Sequence, residues 1–434
     1  MTRIVLFNII FTCFYFIGNA QVVPAPAEKQ SEPIALSGGT IHTATGKIIE
    51  NGVIAFENGM ITFVGEKNDF EGQEGYKTID VSGKEIYPGL ILADSQIGLV
   101  EVNSVDGSVD NEEMETFNPN LRSIVAYNTD SHVIPTLRTN GILVAQITPN
   151  GGIFSGTSSI VQLDAWNWED AALKTDDGIH LQWPEEYNVS GRFAGSTFSK
   201  NKNYTQQLQQ IEEFLADAKA WSEEKTHEKI NLKLKSLEGL FDGSKQLFIH
   251  VDMNTDIVRS VMMAQKYGVK KIVVVGGNDT YYVKDFLKEN NIPVILDATH
   301  ENSYRTHEDV DLSYKLPAIL HDAGVKVGLA YSEFMAARGR NLPFNAGTAA
   351  GYGLTHEEAL QLITKNVAEI LGIADRLGTL EKGKEAMIVV CEGDILDMRT
   401  NKISRAFIQG REINLTDKNR ELYERFLKKY DAKL

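Results

Sequence analysis

Between residues 34 and 87 short apolar runs alternate with polar residues and are broken by glycine: IALSGGTIH, KIIENGVIAFENGMITFVGE and KTIDVSGKEI. A period of two marks half-buried strands. Asn51-Gly52 and Asn58-Gly59 lie between alternating stretches, and Asn-Gly supplies the two positive-φ residues of a tight hairpin. A small antiparallel sheet is predicted here. After Pro88 the pattern changes to near-continuous apolar runs. Eight of them read as strands, at 89–93, 141–147, 158–164, 178–183, 246–252, 271–277, 292–297 and 325–331. Helical periodicity fills 118–140, 255–268 and 280–291 between them. Strands apolar on both faces and joined by helical crossovers predict an α/β fold, a closed parallel (β/α)8 barrel of TIM type with its helices outside. The polar helical run at 204–240 is an insertion between the fourth and fifth strands, and its charges read as a solvated face.

A further helix is marked at 355–372, opened by a Thr355/Glu358 capping box and closed by Gly372. Strand patterns then return at 378–394 and 402–413. The simplest packing joins 378–414 to the strands of 34–87 in one composite β-sandwich domain built from both chain ends, with the barrel at 88–377. Residues 415–434 read as a C-terminal helix.

Charge narrows the partners. The 434 residues carry 59 Asp+Glu against 43 Lys+Arg, a net charge of −16, which disfavours nucleic acid and anionic lipid and leaves a small-molecule ligand or another protein subunit. The first twenty residues stand apart. Arg3 precedes an apolar run at 4–18, and Gly18-Asn19-Ala20 offers small residues for cleavage after Ala20, the layout of a secretory signal peptide. The run is shorter than the ~20 residues of a membrane span. The expectation is an exported protein, periplasmic or secreted, with no membrane association after cleavage and a Pro-rich linker at 21–33. Cys13 leaves with the signal, and Cys391 in IVVCE reads as a small core residue, so no internal disulfide is expected.

The stretch PGLILADSQIG at 88–98 is the first candidate for chemistry. Asp94 and Gln96 are two residues apart, on one face of the predicted first barrel strand. Here the chain resembles the amidohydrolase superfamily, in its imidazolonepropionase-like branch, over nearly all of residues 34–413. The marks are YPGLI (87–91), TPNGGIFSG (148–156), GLTHEEALQLITKNVAEILGIADRLGTLEKGKEAMIVV (353–390) and FIQGREI (407–413).

That resemblance implies metal-assisted hydrolysis of C–N bonds in small cyclic amides, with one or two divalent ions such as zinc at the C-terminal mouth of the barrel. In the family a His-x-His pair closes the first strand, histidines follow the fifth and sixth strands, and an aspartate follows the eighth. Here Asp94 and Gln96 stand in place of the pair, and His250 matches the fifth-strand histidine. Val275 or Gly276 stands at the sixth-strand position and Ser332 at the eighth, with Glu333 one residue on. A glutamine amide is a weaker zinc ligand than an imidazole. The resemblance therefore implies a hydrolase with most metal ligands replaced, its activity atypical, weak or lost. The alternative is a non-catalytic exported ligand-binding protein, or a partner subunit of an active amidohydrolase or of a second copy.

A rebuilt site would draw on ligand types that end strands nearby: Asp94, Asp164, His180, Asp297, His300 and Glu333. Asp94, His180 and His250 together would suit Zn²⁺. Asp252 either shares the face of His250 or caps the following helix, and His300 and His307 read as members of a polar loop. NGGIFSG, which holds Asn150, lacks the lysine of a phosphate loop and reads as a tight turn at the mouth, its amides placed to orient a ligand.

Overall fold

A computed structural model describes residues 25–71, 74–190, 197–224, 226–297, 299–301, 305, 307–331 and 336–430. The expected signal peptide at 1–20, Ser332, Glu333 and the last four residues of the expected C-terminal helix lie outside these residues.

Glycine-punctuated alternation produces β1 (Ile34–His42), β2 (Ile48–Glu57), β3 (Met60–Glu66), β4 (Lys77–Asp80) and β5 (Glu85–Pro88). The barrel follows with β6 (Leu90–Ser95), β7 (Ile142–Ile147), β8 (Phe154–Gln162) and β9 (Ala172–Gln182). A small hairpin, β10 (Tyr187–Ser190) and β11 (Thr197–Lys200), precedes β12 (Gln246–Val251), β13 (Ile272–Gly276), β14 (Val294–Leu296) and β15 (Val327–Leu329). Near the C-terminus come β16 (Ile388–Cys391), β17 (Ile403–Ile408) and β18 (Arg411–Glu412).

The first sheet has the order β18-β17-β16-β5-β1-β2-β3, with β4 beside the first half of β1. Its centre is the antiparallel pair β5–β16, so both ends of the chain do meet in one sheet. Leu36, Ile54, Phe56, Ile86, Ile388 and Phe407 are fully buried between its strands, and Phe56 meets Phe407 edge-on at 5.1 Å. Of the two Asn-Gly signals only one makes a turn. Asn58 (φ 51°) and Gly59 (φ 80°) join β2 to β3. Asn51, at φ 47°, lies inside β2 where the β1–β2 register shifts around Gly39. There the positive φ serves a bulge, and a Cβ on Gly52 would approach Ile41 Cδ1 to 2.6 Å.

The second sheet is the barrel, ordered β15-β14-β13-β12-β9-β8-β7-β6 and nearly closed by a parallel bridge between Ala93 and Ala330. It departs from the expected all-parallel arrangement in one strand. β8 runs antiparallel to both β7 and β9. The reason is length: the chain between β7 and β8 is the six residues 148–153, enough for a hairpin and too short for a crossover.

The expected helix at 118–140 reduces to a 3₁₀ turn at Ser123–Ala126 and a helix at Ile134–Arg138, because Pro119 and Pro135 with Asn128, Asp130 and Ser131 favour turns. The run at 204–240 supplies the helix Tyr204–Glu223, whose Ile211, Leu215 and Ala218 pack into the barrel core. The helix expected at 355–372 forms as His356–Gln361 and Lys365–Leu371, with the Thr355/Glu358 capping box in place and Gly372 left-handed at φ 67°. Near the C-terminus Lys418–Lys429 is helical, capped by Asp417, and buries none of its side chains.

Candidate metal centre at the barrel mouth

Seven of the eight barrel strands point the same way, and the rim where they end gathers the chemistry. β6 delivers Asp94, β9 delivers His180 and β12 delivers His250. Each presents one ligand atom, and the three atoms lie within 4.8 Å of one another. His180 Nδ1 is 2.9 Å from His250 Nε2, and His250 Nδ1 is 3.9 Å from Asp94 Oδ2. His180 is fully buried and pairs across the ladder with Phe248. The two rings stack with centroids 4.7 Å apart and planes within 8°, which fixes the imidazole plane.

Asp94 reaches this position by breaking strand alternation. Leu92 pairs with Ala145 but Ser95 pairs with Ile147, so one extra residue is accommodated on β6. Asp94 takes up the irregularity at φ 49°, a conformation uncommon for residues other than glycine. Its N–H donates to Gln146 Oε1 at 3.1 Å. Beyond a bulge the faces exchange, and for this reason Gln96 does not share the face of Asp94. The Gln96 side chain instead accepts from Asn111 Nδ2 at 2.9 Å, away from the cluster.

A buried polar network supports Asp94 from below. Gln146 Nε2 donates to Asp177 Oδ2 at 2.9 Å, and Ser158 Oγ donates to Asp177 Oδ1 at 2.8 Å. Burial pushes the Asp177 carboxyl up to about 6, against the hydrogen bond from Ser158 and the nearby Lys174. Burial also raises the Asp94 carboxyl, opposed by His250 and reinforced by Asp297. The same desolvation, aided by His250, drives the His180 imidazole well below its ordinary value, so it is neutral.

Above the cluster opens a cavity of about 510 Å³ whose lining includes Asp94, His250, Val275, Gly276, Asp297 and Trp183. Gly276 explains the missing sixth-strand histidine. Its φ is 87°, and a Cβ there would sit 2.9 Å from Asp252 Oδ1. Asp252 in turn accepts from Asn278 N at 3.2 Å, and burial raises its carboxyl.

Other expected site residues are elsewhere. Asp164 follows the antiparallel β8 and is therefore carried away from the rim where its neighbours end. It is held by Arg138 at 2.5 Å, by Arg411 at 3.2 Å and by Ala27 N at 2.9 Å. Asn150 is exposed, with its N–H donated to Asn111 O at 2.6 Å. Gly151 (φ 80°) and Gly152 (φ 64°) make the loop the expected tight turn, and a Cβ on Gly152 would meet Thr116 O at 2.7 Å. His300 bonds Thr348 Oγ1, and His307 is exposed. Trp183 and Arg305 line the cavity without having been singled out. Trp183 had a signal, since it ends the fourth predicted strand. Arg305, which grips Asp279 through both terminal nitrogens at 2.7 and 2.8 Å, had none.

The donors fit a metal. His180 Nε2 is buried and lacks a hydrogen-bond partner, a condition that native structures relieve with an ion, a water or a ligand. One carboxylate and two imidazoles, one of them held neutral, is a zinc-type donor set.

Comparison with known proteins agrees with this architecture. The model of the amidohydrolase family matches residues 270–414. An amidohydrolase of Hapsidospora irregularis is 36% identical over 118 residues, 24% of this chain and 11% of that one. An imidazolonepropionase of Bacillus cereus is 48% identical over 44 residues, 10% of each chain. The match thus spans about a tenth of the length of these curated relatives. The crystal structure of an amidohydrolase from Thermotoga maritima superposes with a TM-score of 0.75 at 23% identity, covering 87% of this chain and 99% of that one, a likeness of fold. Residues 270–414 thus match the amidohydrolase family, short stretches of the chain are similar to an amidohydrolase and to an imidazolonepropionase, and the fold is that of a solved amidohydrolase.

Proposed function

We propose that this chain hydrolyses a non-peptide C–N bond in a small cyclic amide, with weak or atypical activity, at a single divalent ion held by Asp94, His180 and His250. The observation that carries the reading is the convergence of these three side chains from three strands onto one rim. Such an ion, when bound, lowers the pKa of its water and polarises a carbonyl. The chain's own groups do the rest. Phe248 holds the His180 ring in plane, and the Gln146 bond to the Asp94 amide holds β6 in its bulge. Val275 and Trp183 supply apolar wall against which a small ring excludes water. Asp297, carried just past β14, lines the same cavity and takes the proton that the family's eighth-strand aspartate would take. The first sheet, read as a two-layer sandwich, and export through cleavage after Ala20 belong to the same proposal.

Elemental analysis of the chain purified from zinc-supplemented cells tests it. About one ion per chain, lost in His180→Ala and in His250→Ala, is the expected result. A chain that is folded and metal-free would overturn it and favour the second reading, a non-catalytic ligand-binding protein or a partner subunit. Two observations support that second reading: the left-handed Gly276 at the sixth-strand position and the direct contact between His180 and His250.

A further inference from the structure

The opposite end of the barrel holds the larger cavity, about 750 Å³, around the points where β12, β13, β14 and β15 begin. Its charge is opposite in sign to the chain's net charge of −16. Lys270, Lys271, Lys288 and Lys326 line it, against one carboxylate, Glu369, which is paired with Lys326 at 2.5 Å. Among the described residues Lys270, Lys271 and Lys288 have no ion-pair partner, although the chain carries 59 acidic residues. Lys270, Lys271 and Lys288 are exposed around one concavity, and a concave surface lined by one sign of charge favours a counter-charge within it.

A second observation points into the same space. Gln246, 7% exposed at the start of β12, lines the cavity. Its side-chain amide makes no hydrogen bond to any described residue and is open to the cavity. The cavity therefore offers ammonium groups and an unpaired amide donor.

We infer that this pocket at the N-terminal end of the barrel binds a small phosphate-type oxyanion, separate from the mouth where hydrolysis is proposed. Among the described residues no arginine lines it. Planar carboxylates are matched best by the arginine fork, whereas a compact phosphate is well served by lysine point charges. The concavity favours a free phosphate or a small phosphate ester over an extended polyanion.

Calorimetric titration of the full chain with inorganic phosphate, at constant ionic strength, tests this. The expected result is one saturable site per chain, weakened at least tenfold in the Lys271→Gln/Lys288→Gln double variant and unchanged in Lys382→Gln, a lysine in an exposed turn before β16. Phosphate also ligates metals, so His180→Ala is titrated in parallel and binds as the parent does. Protection of Lys271 and Lys288 from acylation by added phosphate, read by mass spectrometry on the parent, gives the answer without any variant. Absence of saturable binding, equal affinity in the double variant, loss of binding in His180→Ala, or equally tight binding of citrate would each overturn the inference.

Discussion

Asp177 is fully buried beneath the candidate metal centre, and replacing it with asparagine removes its charge while leaving the network intact. In the parent, Asp177 Oδ2 accepts from Gln146 Nε2 and Oδ1 accepts from Ser158 Oγ. In Asp177→Asn the amide oxygen still accepts from Gln146. The new N–H₂ donates to Ser158 Oγ, whose own hydrogen turns to Gly178 O, already 3.3 Å away. The pH dependence then isolates the carboxylate. Its folded value of about 6 lies above the ordinary 3.8, so between those values the folded state binds the proton that the unfolded state has released. Its contribution to stability is fully present below pH 3.8 and is lost as pH rises through 6. At 1.36 kcal/mol per unit, the loss is roughly 3 kcal/mol. Urea denaturation of parent and variant at matched pH from 4.5 to 7.5 cancels the titration of every other group. The variant is expected to gain on the parent by most of that amount across the range. A constant offset between the two stability curves would refute the claim that burial of this carboxylate sets its ionisation.

Gly276→Ala places a Cβ 2.9 Å from Asp252 Oδ1 at φ 87° and is expected to cost about 1–3 kcal/mol in urea denaturation; an unchanged midpoint would remove the explanation for the missing histidine. His42 joins β1 to the barrel helix His356–Gln361, with Nδ1 2.6 Å from Glu357 and Nε2 2.9 Å from Glu85. Burial works against its charge, but Glu357 and Glu85 prevail and raise the imidazole above 6.5, so the stabilisation is present below pH 6.5 and fades as pH rises through the folded value. His42→Gln should therefore flatten that part of the stability profile, and parallel curves for parent and variant would contradict it. Cys391 is fully buried and desolvation raises its thiol, so a maleimide should label it only after denaturant is added; rapid labelling of the native chain would show the burial to be wrong.

Hydrophobic rhythm alone was enough to place all eight barrel strands, because a strand apolar on both faces has few other readings. Direction was harder. β8 is buried along its whole length like β7, and only the six-residue link before it tells that it turns back. The candidate centre was legible in residue type and not in geometry. Asp94, His180 and His250 were each visible as strand-end ligands, but their meeting depends on cross-strand register, which one sequence does not display. The bulge at Asp94 left no signal, since a positive φ at aspartate is a response to its neighbours. The misplaced helix at 118–140 shows the opposite error, where scattered apolar residues were given a period that Pro119 and Pro135 deny.

The pairing of β5 with β16 ties the start of the chain to a strand roughly 300 residues later. At 5–20 residues per second a ribosome needs roughly 15–60 s to make that stretch. Throughout that time β1 to β5 have an unpaired edge on the β5 side and lack the Ile388 and Phe407 half of their core. An exposed edge is a template for wrong pairing. Lys84 and Glu85, at the start of β5, place charge on that open edge, and edge charges oppose wrong pairing. A chain that stops short of β16 should aggregate rather than leave a working barrel, so the last strands of this molecule act as the latch on its first.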